Sequence, residues 1–322
     1  MSESIEKLKG VAVYIALAAV IVLGAETVWR NWEFERITHD SGGYKFGYID
    51  NSGTFVVPPE FDFAGDFSEG LAPVRIGFQT GYIDLEGSIV IPARFECAGS
   101  FSEGLAPVQT DGLVGYIDRS GQFVIPPRFF PAGSFSQGLA PAAIDRKYGY
   151  IDRNGDFVIP PQFDHAIPFT EGLAAVTLNG ASGFINPQGE SVIPPQFQAC
   201  LPFRQGFAFV RDGEKWGVID KTGSMVMEPQ YDDVKPGADG TVAVCLDGNW
   251  GMSGPTGQLT GVSRYNGFPA FSEGLASVAV DGRYGYVDRD GAWIIPARYQ
   301  RAYPFREGIA RVRVAINTPG LW

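Results

Sequence analysis

The chain has 322 residues, 45% of them hydrophobic, which is enough to bury a large core. Its 36 acids outnumber its 25 bases, and the net charge of −11 excludes the basic footprint that nucleic-acid binding requires. The three cysteines, Cys97, Cys200 and Cys245, are odd in number and form no CxxC pair, so neither a disulfide framework nor a zinc site is expected.

The first element is the uncharged run Gly10 to Ala25, bounded by Lys9 and Glu26. As a helix it would reach about 24 Å, slightly short of a hydrocarbon core of about 30 Å. The expectation is an N-terminal transmembrane helix, with Val11, Ile15, Leu17, Ile21 and Leu23 as the membrane anchor. Trp29 and Trp32 would sit in the interface, and Lys7 and Lys9 would snorkel at the other end. A cleaved signal ending near Val22-Leu23-Gly24 is the main alternative, and a buried globular helix is another. The lysines lie closer to the run than Arg30 and Arg36, which favours a body on the non-cytoplasmic side.

From Tyr44 the chain repeats. Gly47, Gly81, Gly115, Gly149, Gly183, Gly217, Gly251 and Gly285 are 34 residues apart, with no insertion. A second glycine series starts at Gly53, a third at Gly70, and an aromatic series runs from Phe61 to Tyr299 at the same step. The domain reading is therefore an anchor or signal over 1–30, a linker or partial strand over 31–43, eight units over 44–315 and a tail over 316–322. Thirty-four is also the period of helical tetratricopeptides. Helices are excluded by the several glycines of each unit and its usual Pro or Pro-Pro, at a cost of roughly 1 kcal/mol per glycine and 3 per proline. Instead "LAPVQ", "GYID" and "QFVIP" alternate as three short strands.

The Asp118-Arg119-Ser120-Gly121 turn has a mechanism. The Asp118 carboxylate can accept N–H groups two and three residues on, and Gly121 can take the positive φ that closes the turn. The Pro-Pro pair is expected to end ladder pairing after the third strand. A three-stranded meander cannot bury both faces alone, so each copy must cover the next. The predicted fold is all-β, with eight three-stranded repeats in an open curved solenoid and a closed ring as the alternative. The open form rests on Arg36 to Gly43 acting as an extra first strand, which leaves the C-terminal "GIARVRVA" unneeded by the first unit.

"KWGVIDKTGSMVMEPQYDD" from Lys215, with the recurring "FSEGLA", resembles the bacterial WG-repeat proteins across all eight units. Only Trp216 and Trp250 keep the tryptophan; Phe46, Thr80, Val114, Tyr148, Ser182 and Tyr284 stand at the other positions. The resemblance implies a β-rich array, found in envelope or secreted settings, that binds rather than catalyses. It supplies no catalytic residues.

The residues themselves offer little chemistry. His39 and His165 have no recognisable partner pattern, and no Gly-x-Ser-x-Gly elbow occurs. The repeated Ser-Glu pairs suit capping and turns, since an enzyme needs one site with unique residues. One acid per 34-residue turn argues against calcium, so no cofactor or metal is expected. Around Met252 the pattern breaks: Ser253-Gly254 replaces Ile-Asp, and Gly237 replaces the usual Phe. From Arg289 onward six arginines (Arg289, Arg298, Arg301, Arg306, Arg311, Arg313) face two acids, forming either a solvated terminal surface or a binding site for a partner. The functional expectation is a non-enzymatic, membrane-anchored scaffold that presents its surface to a protein partner such as a membrane complex. An envelope hydrolase with its site between Gly237 and Tyr265 is the alternative from another class, and a passive spacer is a third.

Overall fold

A computed structural model describes residues 43–316, apart from 237–241, 255, 258 and 263–270. Eight antiparallel sheets follow one another as the blades of a β-propeller. Blade 3 is representative. A two-residue strand, Cys97–Ala98, pairs with Ala106–Thr110, then Leu113–Ile117, then Phe123–Phe129. Seven blades have four strands. Blade 4 has three, with Ala132 bridged to Ala142 where the short first strand would lie.

The expected open solenoid is wrong. Tyr44–Asp50 and Phe55–Phe61 form a sheet with Arg301–Ala302 and Ile309–Ala315 from the far end of the chain. Seven consecutive pairs join the termini, from Tyr44 opposite Ala315 to Asp50 opposite Ile309. The physical reason is that the first unit begins in the middle of a blade. Its strand at Tyr44 needs a partner, and "GIARVRVA" is that partner, so no sheet edge is left at either end. The presumed extra strand at Arg36 to Gly43 lies almost wholly outside the described residues, as does the expected transmembrane helix with Val11, Ile15, Leu17, Ile21, Leu23, Trp29 and Trp32. Among the described residues no helix is long and apolar enough to cross a membrane.

Two further corrections concern the units. Seven of the eight blades have a fourth, short strand that the meander reading lacked. The Pro-Pro pair also does not end the last strand. In blade 3, Ile125 pairs with Tyr116 and Phe129 with Val114, so Pro126, Pro127 and Arg128 bulge opposite the single residue Gly115. That bulge explains the first glycine series. A Cβ on Gly115 would meet the Ile125 carbonyl oxygen at 2.6 Å and Pro127 N at 2.7 Å. Only glycine lets the backbones approach this closely.

Blades pack through a repeated aromatic contact. The Tyr116 ring lies 4.9 Å from Phe135 of the next blade, and its hydroxyl donates to the Gly133 carbonyl at 2.7 Å. Tyr48, Tyr82, Tyr150 and Tyr286 repeat both contacts with the blades that follow them. Phe184 keeps the ring contact with Phe203, at 4.7 Å, without a hydroxyl.

The seam between blades 8 and 1 uses the same parts. Arg298 donates to the Gly53 carbonyl at 2.6 Å, as Arg94 and Arg128 do to Gly121 and Gly155 elsewhere. Arg311 occurs where other copies carry Pro, Ala, Phe or Ser, and it reaches from blade 1 to blade 2. It pairs with Asp66 at 2.9 Å, donates to the Ala64 carbonyl and stacks 3.7 Å from the Tyr303 ring centroid.

Phe101→Ala is expected to cost about 3–5 kcal/mol, and Tyr82→Phe only about 1, both read from thermal melts. Deleting 309–315 should raise hydrogen exchange at Tyr44–Asp50, at the opposite end of the chain. An open array would fray at its C-terminal end alone.

Candidate binding faces

The strand order divides the loops between two faces. Loops from first to second strand, and turns from third to fourth, share one face. Hairpins from second to third strand, and links to the next blade, share the other.

The first face is built from Phe-Ser-Glu-Gly and Asp-x-x-Gly. In Ser102 to Leu105 two backbone bonds close a two-residue turn with Glu103 at φ +55° and Gly104 at +77°. This is the primed turn that suits twisted strands, but a left-handed Glu costs roughly 1–2 kcal/mol. The same conformation recurs at Glu69, Gln137, Glu171, Gln205, Glu273 and Glu307. What holds it is the neighbouring blade. Glu69 accepts the Gly104 N–H at 3.0 Å, Glu103 that of Gly138, and Glu171 that of Gly206. Glu307 accepts the Gly70 N–H at 2.9 Å and carries the series across the junction of the chain ends. The serines act the same way: Ser68 Oγ donates to the Phe101 carbonyl and Ser102 Oγ to that of Phe135, each at 2.7 Å. Sequence reasoning assigned these pairs to local capping. They latch adjacent blades instead, a role whose only sequence signal was the fixed 34-residue step.

The Asp-x-x-Gly turn forms largely as the sequence implies. Asp118 Oδ1 accepts Ser120 N at 2.9 Å and Ser120 Oγ at 2.6 Å; its second backbone bond comes from Gln122, four residues on. Gly121 takes φ +85°. Arg119 and Arg153, the second residues of their turns, donate to the carbonyls of Glu69 and Glu103 in the blades before them. Lys221 lies 3.1 Å from the Glu171 carboxylate and donates to its carbonyl. None of the large exposed hydrophobics among the described residues lies in the loops or turns of this face.

The second face is different. Its hairpin tips include Asp111-Gly112 and Asn179-Gly180, both left-handed pairs. Ile76, Phe78, Leu113 and Ile144 are exposed at such tips, and Phe130 is exposed in a link.

The six arginines do not form one patch. Arg289, in a turn of blade 8, and Arg306, in a loop of blade 1, lie on the first face. Arg301 and Arg313 pair across strands near the second face, where Arg313 stacks 4.9 Å from the Tyr44 ring. Arg298 and Arg311 are absorbed in the blade interfaces described above.

Reactive groups are few. Burial pushes the His165 imidazole down to about 4, and its ring lies 5.4 Å from Tyr148, so it is uncharged at neutral pH. The interface tyrosines Tyr48, Tyr82, Tyr116, Tyr150 and Tyr286 are raised by burial, so their phenols stay protonated as donors. No group of metal-ligating side chains occurs among the described residues. The irregular unit still forms a blade, from Asp233–Pro236, Val242–Leu246, Asn249–Ser253 and Leu259–Val262. Lys235 Nζ lies 4.3 Å from the Trp250 ring there. Gly237 itself, the stretch 263–270 and the suggested hydrolase cleft around them lie outside the described residues.

Hydroxyl hydrogen bonds from Ser52, Ser120 and Thr222, with backbone N–H groups, hold Asp50, Asp118 and Asp220 below the usual carboxylate range. Such groups contribute stability above their unfolded pKa and lose it as pH falls through the depressed folded value. The melting temperature should therefore drop as the pH falls below about 4. Asn186 fills this turn position naturally and accepts the Glu190 N–H at 2.9 Å. Asp118→Asn should accordingly be nearly neutral at pH 7 and make the acid loss shallower, whereas Asp118→Ala should cost about 1 kcal/mol at pH 7.

Two solved structures share the architecture. One, described as the crystal structure of the eukaryotic initiation factor, is 13% identical with a TM-score of 0.50, covering 82% of this chain and 87% of that one. The other, dihydro-heme d1 dehydrogenase NirN in complex with DHE, is 12% identical with a TM-score of 0.55, covering 84% and 75%. At these identities the likeness is one of fold. No curated protein matches in sequence. Seven stretches match the "WG containing repeat" family: 46–77, 81–113, 115–148, 148–180, 183–216, 216–250 and 284–315. The unmatched gap falls on the irregular unit, and with more than half its length matched the chain belongs to the WG-containing-repeat family.

Proposed function

We propose that this propeller is a non-enzymatic scaffold, attached to a membrane by the apolar run Gly10 to Ala25, that binds a protein partner through its polar face on the non-cytoplasmic side. The observation that carries this reading is the series of latches between blades. The repeated Ser and Glu side chains of that face hold backbone groups of the next blade and the Asp side chains hold their own turns, so the face is set before a partner arrives. A preorganised surface spares the partner much of the ordering cost of binding. Arg289 and Arg306, on adjacent blades of this face, are the cations of a mixed sector with Asp290 and Glu307, and can pair with acidic groups of a partner. Propellers of similar shape include a dehydrogenase, so the argument rests on these side chains and not on the fold.

The test is capture of partners from gently solubilised membranes, using the full chain with a C-terminal tag. Arg289→Glu with Arg306→Glu should cut recovery of a stoichiometric partner at least about tenfold, as should high salt. Arg301→Glu should leave recovery unchanged. Equal recovery from all three proteins would refute the assignment of the face, and a chain that elutes alone from the soluble fraction would refute the attachment.

A further inference from the structure

The exposed apolar residues of the second face have an uneven distribution. Phe78, 84% exposed, and Ile76 sit at the hairpin tip of blade 2. Leu113 is exposed at the tip of blade 3, Phe130 in the link from blade 3 to blade 4, and Ile144 at the tip of blade 4. Tyr44 and Ile316 are exposed in blade 1 and Val280 in blade 8. Blades 8, 1, 2, 3 and 4 are consecutive around the closed ring. The tips of blades 5, 6 and 7, at Asn179-Gly180, Gly213-Glu214 and Asp247-Gly248, expose no large apolar side chain. Among the described residues one arc of the face is therefore apolar and the opposite arc polar.

That arc includes the point where the chain enters the ring. Tyr44 begins its strand on this face in blade 1, beside the middle blade of the five. The 18 residues 26–43 separate it from the apolar run that ends at Ala25. Extended, they could span up to roughly 60 Å, so the tether alone would allow either face to approach a bilayer. The apolar tips favour the second face. Among the described residues the loops and turns of the first face expose no large hydrophobic side chain, and Ile89, Phe123 and Trp293 are exposed there only at the starts of the outer strands. Charges around the arc are mixed: Arg75, Arg146, Arg283, Arg301 and Arg313 share it with Asp111, Asp145 and Asp281, and Lys45 is paired with Asp62 at 2.7 Å. This pattern lacks the basic cluster that reads anionic lipid, and it fits shallow insertion of apolar tips into the interface.

We propose that the arc of blades 8 to 4 on the second face rests in a lipid bilayer surface, with Phe78 as its deepest side chain, so that the polar face points away from the membrane. The proposal rests on the membrane attachment proposed above and adds the orientation of the ring and the residues that set it.

The test uses the full chain in phosphatidylcholine vesicles with and without brominated acyl chains. An environment-sensitive fluorophore is placed on Phe78→Cys, Leu113→Cys, or Ser120→Cys on the opposite face. Cys97 and Cys245 are buried, and burial raises the Cys200 thiol well above its ordinary value, so labelling is directed to the introduced sites. Emission at 78 and 113 should be roughly halved by brominated lipid and that at 120 unchanged, without added anionic lipid. Two labelled tips guard against one variant failing to fold, and each is checked by its melting curve. If the chain floats with vesicles but neither tip is quenched, the orientation is overturned while the attachment stands; a protein partner would then be the better occupant of the arc. If the chain does not float at all, both readings fall.

Discussion

The structure depends on one contact made repeatedly: an aromatic ring from the third strand of a blade against the phenylalanine of Phe-Ser-Glu-Gly in the next. Tyr48 on Phe67, Tyr82 on Phe101 and Tyr116 on Phe135 are separated by 4.8–4.9 Å, and each phenol also donates to a carbonyl of the neighbouring blade. Every such ring is nearly free of solvent. The contact joins residues 19 apart, the phenol bond 17 apart, the serine latch 33 and the glutamate latch 35. An insertion in any unit would break all four series at that interface. This is why the 34-residue step is kept without exception.

Closure gives the irregular unit its tolerance. Val218 and Met252 stand at the tyrosine position, so the phenol bond is missing on both sides of blade 7. In an open array two weak interfaces in succession would let the end of the chain separate from the rest. In a ring the blades beyond are held from the other direction. Arg298 on Gly53, Glu307 on Gly70 and Arg311 on Asp66 tie blades 8, 1 and 2 together. Blade 7 is then confined between neighbours already fixed, and its four strands form despite the altered sequence.

Much of this was legible in the residues: the repeat and its 34-residue step, three strands of each unit, the Asp-x-x-Gly turn and the family. The misses share a cause. Sequence patterns report local geometry, whereas closure, latching and burial are contacts between blades. The first and last strands pair across nearly the whole chain, and no local feature of "GIARVRVA" distinguishes a terminal strand from one that completes blade 1. Ser102 and Glu103 are residue types that cap turns, and only the partner atoms in the next blade reveal the latch. The six arginines are close in sequence but scatter because successive loops alternate between faces. Strand residues such as Arg298 and Arg311 meet the neighbouring blade instead.

A repeat this regular constrains where specificity can reside. Side chains that recur in every copy are committed to joining blades, and a partner that read them would find similar ground all around the ring. Discrimination must come from positions where the copies differ and the backbone does not depend on the choice. The second residue of the Asp-x-x-Gly turn varies most, from Asn51 and Leu85 to Pro187 and Arg289, although Arg119, Arg153 and Lys221 there also bind the preceding blade. The hairpin tips also vary, from Gly77-Phe78 to Asp145-Arg146 and Asp281-Gly282. The two sets lie on opposite faces, so the ring can vary one surface for a polar contact and the other for an apolar one without disturbing its core. Two independent surfaces on one rigid body are what a scaffold between a membrane and a protein partner requires.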